Sequence, residues 1–282
     1  MRKKPTLKSS FEKDLLVLEN IYSREVFRLV EDNIDLLLIH YRAWEQALYV
    51  FAKELGIKNS NINEIPYKLE QVLFNKVQKK LFKTNIKKII FGIAGPGAVG
   101  KETIKNALGF NTVVNTTTRK KRKNEKNGKN YHFIDEAQFK KIAAQNGFAI
   151  CMNRKKRGKY GIQKHDIEKV LQKSQIILIE ENPINLTSLA EYFKIYKDYE
   201  FILVYILPPA PILLHLAARL ADRCQKTNDD FRSAIVSTLG TRQLSEFKSV
   251  LDSINKKIDV ILIINDDIER AVTKIKILTK KF

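Results

Sequence analysis

Apolar positions in residues 10–83 recur with a helical period, and turn chemistry is nearly absent before Gly56. Trp44, Leu48, Phe51 and Leu55 are spaced by four, three and four residues, so they share one helix face, and Gly56 follows as a C-terminal stop. A second helix is predicted to begin near Pro66, a favourable first-turn residue, and to run through Leu69, Val72, Leu73, Val77 and Leu81. Residues 58–63 between them read as a polar loop, and Lys83-Thr84-Asn85 as a short junction. From residue 86 short apolar runs alternate with helical stretches. Residues 176–179, 201–207 and 260–264 are too evenly apolar for one-sided strands, which predicts central strands covered on both faces. The pattern predicts a helical N-terminal domain over residues 1–84. It is followed over 86–282 by an α/β domain with a parallel sheet flanked by helices and ligands at the carboxyl ends of its strands.

One such end carries Gly95-Pro96-Gly97-Ala98-Val99-Gly100-Lys101-Glu102-Thr103, after the apolar run of residues 89–94 and before a short helical pattern ending near Leu108. Glycines let backbone N–H groups converge on a polyphosphate, the helix start adds partial positive charge, and Lys101 supplies a mobile full charge. Gly95 to Thr103 are therefore the expected nucleotide-binding loop. Glu102 stands where such a loop usually carries the hydroxyl that reaches magnesium, and Thr103 comes one residue later. Both are candidate ligands for a magnesium ion bound with the phosphates.

Charge sharpens this picture. The 282 residues hold 51 Lys and Arg against 31 Asp and Glu, a net +20, with most of the excess beyond residue 85. Polyanionic partners suit such a balance, as does a lysine-rich proteome with no functional cause. No RNA- or DNA-reading motif is present and aromatic interleaving in the basic runs is sparse, so nucleic acid is not the expected partner. Cys151 and Cys224 form no Cys-x-x-Cys pair, and His40, His132, His165 and His215 share no ligand spacing. Neither a disulfide framework nor a zinc site is expected. The amphipathic start and the prolines within residues 201–218 argue against a signal core and a membrane span, so a soluble cytoplasmic protein with no membrane partner is expected.

Downstream lie Asn115, Thr116-Thr117-Thr118-Arg119, Arg122, Glu125, Gly128, Tyr131 and Phe133. Two arginines three apart and a tyrosine nine further on either converge on one phosphate or form a solvated basic loop. With these residues in place, the sequence resembles the guanylate kinase family. That family follows its phosphate loop with Thr-Thr-Arg-x-x-Arg, a glycine, a Tyr-x-Phe, a Tyr-Gly pair and a late Asn-Asp-Asp. Here stand Thr117-Thr118-Arg119, Arg122, Gly128, Tyr131, Phe133, Tyr160-Gly161 and Asn265-Asp266-Asp267, with Leu207-Pro208-Pro209 and the pair Arg219 and Arg223 between.

The resemblance covers about residues 86–282. It implies a P-loop kinase fold with a small mixed acceptor-binding lobe near 115–165 and a helical lid near 221–240, and transfer of the terminal phosphate of ATP to GMP or dGMP with magnesium. Lys101, Arg119, Arg219 and Arg223 would be catalytic. Arg119, Arg122, Tyr131 and Tyr160 would hold the acceptor phosphate, and Asn265 would lie near the adenine, or cap the helix from Ile268 to Leu278. Base reading departs from the family pattern. A serine, a glutamate, a small hydroxyl and an aspartate are replaced by Asn115, Ile150, Ile162 and Glu180, which leaves Asn115 and Glu180 as acceptor-base candidates, with Glu181 beside them. Losing a charge-assisted pair to guanine weakens recognition by about 1.5 to 3 kcal/mol. A guanylate-kinase-like module that has lost catalysis and binds a phosphorylated or anionic partner is the competing expectation. The basic stretch from Arg154 to Lys159 also departs from the family pattern. Docking on the kinase domain, oligomerisation and partner binding are the open roles of the N-terminal helices.

Overall fold

The computed structural model describes residues 7–58, 61–84, 88–122, 125–154, 158–239 and 241–280. The chain opens with helices α1 (Leu7–Glu19), α2 (Arg24–Glu31), α3 (Ile34–Glu54) and α4 (Ile65–Lys83). The expected stop at Gly56 is a left-handed residue at φ +73°, and the Pro66 start is found. The sequence reading resolved no boundaries before α3. Ser23 supplies one, its hydroxyl accepting from the Val26 N–H at the start of α2. Asn85, Asn59 and Ser60, which belong to the expected junction and loop, lie outside the described residues.

Next come β1 (Lys88–Ala94), α5 (Lys101–Leu108), β2 (Asn111–Thr112), β3 (Thr116–Thr117), β4 (His132–Phe133), α6 (Glu136–Ala144), β5 (Phe148–Arg154) and β6 (Gly158–Gln163). The chain continues through α7 (Lys164–Leu171), β7 (Ile176–Glu180), α8 (Pro183–Phe193), β8 (Tyr199–Leu207), α9 (Ile212–Thr227) and α10 (Phe231–Thr238). It ends with α11 (Thr241–Asn255), β9 (Asp259–Ile264) and α12 (Ile268–Ile277). The described strands form a parallel five-stranded sheet in the order β2-β7-β1-β8-β9. Two of the evenly apolar runs seen in the sequence, β7 and β8, are inner strands on either side of β1, whereas the third, residues 260–264 in β9, is an edge strand rather than the expected central one and is buried because helices pack against it. A second, mixed sheet, β4-β3-β6-β5, forms the small lobe expected near residues 115–165. Of the basic stretch 154–159, residues 155–157 lie outside the described residues.

The N-terminal helices share one continuous core with the sheet rather than closing around a core of their own. Trp44 stacks on Phe247 of α11 with ring centroids 5.5 Å apart, and Phe51 meets the same ring edge-on at 5.3 Å. Helix α4 lies along β9, the last strand of the sheet order, where unpaired backbone groups would otherwise face solvent. Glu70, 5% exposed on the apolar stripe of α4, accepts the Ile264 N–H at 2.9 Å and pairs with Lys274 of α12. Lys80, near the other end of α4, bridges Glu200 and Asp259, both at 2.7 Å.

Replacing Glu70 by alanine strands the buried Ile264 N–H and one lysine, so Glu70→Ala is expected to lower unfolding stability by about 2 kcal/mol. Glu70→Gln keeps an acceptor and should lose less than half of that. Urea denaturation of the three proteins checks both values.

Candidate nucleotide and acceptor sites

The loop between β1 and α5 owes its shape to close approach and to left-handed backbone. Gly95 sits at φ +150°, and a Cβ there would come within 2.4 Å of the Ile206 carbonyl oxygen of β8. Gly100, at φ +88°, caps α5, and a Cβ there would meet Asn265 Nδ2 at 2.6 Å. Only glycine fits either place. Ala98 also takes positive φ, at 64°, and Val99 is fully buried beneath the loop. The Val99 carbonyl accepts from Asn265 Nδ2 at 2.7 Å and from Arg219 Nη1 at 3.2 Å.

Lys101 begins α5 and folds back so that its Nζ donates to the Gly95 and Pro96 carbonyls, each at 2.8 Å. Glu102 and Thr103 are exposed in the same first turn. They are separated by about 100° around the helix, so their oxygens leave it in different directions. Glu102 makes no ion pair among the described residues. A carboxylate and a hydroxyl at a helix start are hard oxygen donors of the kind magnesium takes alongside substrate phosphates, so the donor set fits that ion. Among the described residues no group of three or more His, Cys, Asp or Glu is gathered to hold a metal by itself.

Asn265 is 3% exposed at the end of β9, its amide committed to Val99 and its carbonyl accepting from Arg219 Nη2 at 2.7 Å. It does not cap the last helix. Asp267 does, its carboxylate accepting from the Arg270 N–H. Arg223 stands one turn beyond Arg219 on α9 and is exposed. The expected lid region comprises the end of α9 and α10, which packs on α9 and buries Phe231 and Ile235; Gly240 lies outside the described residues.

In the small lobe the threonine run fixes the arginine loop. Thr117 Oγ1 donates to the Lys159 carbonyl at 2.9 Å and accepts from the Arg119 N–H at 3.1 Å. The Arg119 guanidinium forks onto Glu125, with Nη1 at 2.9 Å from Oε2 and Nη2 at 2.7 Å from Oε1. It also lies over the Tyr131 and Phe133 rings at 5.3 and 5.5 Å, and the Tyr160 ring, 5.9 Å from that of Tyr131, stands on the same side. Arg119 pulls the Glu125 carboxyl down to about 2. Arg119, Tyr131 and Tyr160 are therefore brought together. Arg122 is not: its side chain is exposed, and its backbone N–H donates to Glu125 Oε2 at 2.8 Å. Glu125 was visible in the sequence but carried no assigned role; its signal was a carboxylate six residues after Arg119 and three after Arg122.

Asn115 reaches the carboxyl end of β7, its Nδ2 donating to the Glu180 carbonyl and to Glu181 Oε1, both at 3.2 Å. The Glu180 carboxylate turns instead to Lys105 of α5 at 2.8 Å. Asn115 thus meets the side chain of Glu181, not that of Glu180, and its Oδ1 is buried without a partner. Ile150 and Ile162 are cross-strand partners of β5 and β6, an apolar pair where the family resemblance implies a carboxylate and a hydroxyl.

Buried His215 lies on α9 one turn before Arg219. Burial, and then the Arg219 charge, pull its imidazole down to about 4. An unfolded histidine titrates near 6.5, so between those values the unfolded chain takes up a proton that the folded chain refuses. Stability therefore falls as pH drops from about 6.5 toward 4, by roughly 2 to 3 kcal/mol at pH 4.5 from this group. His215→Gln should remove that share of the acid loss, read as a smaller shift in urea midpoint between pH 7.5 and 4.5.

The family model described as Guanylate kinase matches residues 86–281. The chain is similar to a guanylate kinase of Syntrophomonas wolfei subsp. wolfei (strain DSM 2245B / Goettingen), 29% identical over 196 residues that span 68% of this chain and 91% of that protein. It is also similar to a guanylate kinase of Wolbachia sp. subsp. Brugia malayi (strain TRS), 31% identical over 198 residues, 68% of this chain and 92% of the other. The crystal structure of guanylate kinase from Anaplasma phagocytophilum aligns with a TM-score of 0.44 and 19% identity, covering 69% of this chain and 85% of that one. No helix among the described residues is long and apolar enough to cross a membrane.

Proposed function

Because the chain belongs to the guanylate kinase family, we propose that it transfers the terminal phosphoryl group of ATP to a nucleoside monophosphate, GMP or dGMP in the first instance. The observation that carries this reading is the pairing of a glycine-shaped phosphate loop, roofed by Arg219, with a separate lobe in which Arg119, Tyr131 and Tyr160 gather. In this reading the loop N–H groups and the start of α5 receive the β- and γ-phosphates of ATP. Lys101 exchanges two neutral carbonyl partners for phosphate oxygens, a stronger charge-assisted contact. Arg219 and Arg223, one turn apart, supply positive charge where negative charge spreads in transfer.

Arg119 holds the acceptor phosphate with Tyr131 and Tyr160, its fork turning from Glu125 to the phosphate, and Arg122 swings in from solvent. The buried Asn115 Oδ1 is an acceptor suited to an N–H of the acceptor base, with Glu181 beside it. Glu102 or Thr103, whose oxygens leave α5 in different directions, would help hold magnesium, which neutralises phosphate charge when it is bound with ATP. The chemistry needs in-line positioning more than covalent participation. The helical segment and the α/β segment work as one catalytic unit, with residues 221–240 as the lid.

The apolar pair Ile150 and Ile162 favours a second reading, a module that binds an anionic partner through the Arg119 lobe without turnover. An ATP-to-ADP coupled assay with GMP, dGMP, AMP, CMP and UMP separates the two. The kinase reading expects the highest kcat/KM with GMP or dGMP, reduced about a hundredfold or more by Lys101→Ala with folding retained. No turnover with any acceptor from folded protein overturns it. Magnesium-dependent ATP binding by calorimetry would then argue against a module that needs no donor nucleotide.

A further inference from the structure

Tyr22 sits between α1 and α2, outside the family-matched residues, in a break fixed by the Ile21 and Tyr22 N–H groups donating to the Leu18 carbonyl at 3.0 and 2.9 Å. The break turns its ring onto α9. The phenol oxygen lies 3.1 Å from His215 Nδ1, with ring centroids 5.8 Å apart, and the charge of the Arg219 guanidinium acts on it. His215 and Arg219 are four residues apart and so share one face of α9.

The donors and acceptors then sort themselves. His215 is 3% exposed and neutral at ordinary pH, so one ring nitrogen is an acceptor. The guanidinium is positive and only donates, so the arrangement that suits both neighbours has the Tyr22 O–H donating to His215 Nδ1 and the oxygen lone pairs turned toward Arg219. With Nη1 on the Val99 carbonyl and Nη2 on the Asn265 backbone carbonyl, the guanidinium is held by the phosphate loop and the end of β9, and the phenol adds its oxygen dipole beside the charge.

We propose that Tyr22 is a positioning residue for Arg219, through which the N-terminal helices orient the arginine that meets the donor phosphates. The proposal rests on the kinase reading of Arg219. An arginine already fixed in direction loses less freedom when it engages phosphate, and misaiming a charged donor costs rate even when the substrate still binds. The phenol touches no reacting atom; it acts through the guanidinium.

The test is a double-mutant cycle in the full chain with Tyr22→Phe, Arg219→Lys and the pair, reading kcat, the KM for each nucleotide, magnesium–ATP affinity by calorimetry and melting temperature. Tyr22→Phe keeps the ring against α9, so melting should move by no more than a few degrees. We expect kcat to fall about tenfold with the acceptor KM unchanged, and the loss to shrink below twofold in the Arg219→Lys background. A kcat within twofold of the parent, or equal losses in both backgrounds, overturns the proposal. If the parent turns over no acceptor, the kinase reading has failed separately, and ATP affinity decides instead. Weakening by Tyr22→Phe only when Arg219 is present supports positioning, and equal affinities overturn it.

Discussion

The carbonyl oxygen of Val99 is the point on which the donor site depends. It accepts from Asn265 at the end of β9 and from Arg219 on α9, so one backbone group inside the phosphate loop is gripped from two different elements. A loop left to itself would sample many shapes, and the entropy lost in arranging its N–H groups around a phosphate would fall on binding. Here the cost is met during folding. Gly95 against the Ile206 carbonyl and Gly100 against Asn265 complete the constraint, since no side chain can stand in either place.

That constraint extends beyond the family-matched residues. Asn265 follows Ile264, whose N–H is taken up by Glu70 of α4, and Arg219 lies under the Tyr22 phenol from the break before α2. The helices before residue 86 therefore bear on both groups that hold Val99. Such an arrangement gives the extension a physical connection to the phosphate site that packing alone would not require. The exposed apolar side chains of α1, α3 and the break after α1, among them Leu16, Ile39, Val50 and Ile21, lie on the same segment.

Much of this was legible in the sequence because its causes are local. The loop, its preceding strand and its following helix come from glycine, β-branched and helix-forming residues in a row. The parallel sheet comes from strands whose inner positions are evenly apolar, with Lys88, Glu200 and Asp259 confined to their first two residues. The small lobe followed from an ordered set of motifs. What the sequence hid was long-range pairing. Glu70 is one polar residue among many on a helix, and only its place on the stripe of Pro66, Leu69 and Leu73 signals a buried acceptor. Glu180 and Glu181 are adjacent and chemically alike, and only the register of β7 against β1 turns one toward Lys105 and the other toward Asn115. Tyr22 and His215 are 193 residues apart, and no periodicity links them.

The central claim is that the loop and the Arg119 lobe engage two nucleotides at once, close enough for direct transfer. Binding of adenosine and guanosine joined through five phosphates measures this most directly, by calorimetry against ATP and GMP alone. The account predicts an affinity at least about a hundredfold tighter than either single nucleotide, because the second contact becomes intramolecular. An affinity equal to that of ATP alone, with GMP unable to compete, would contradict it.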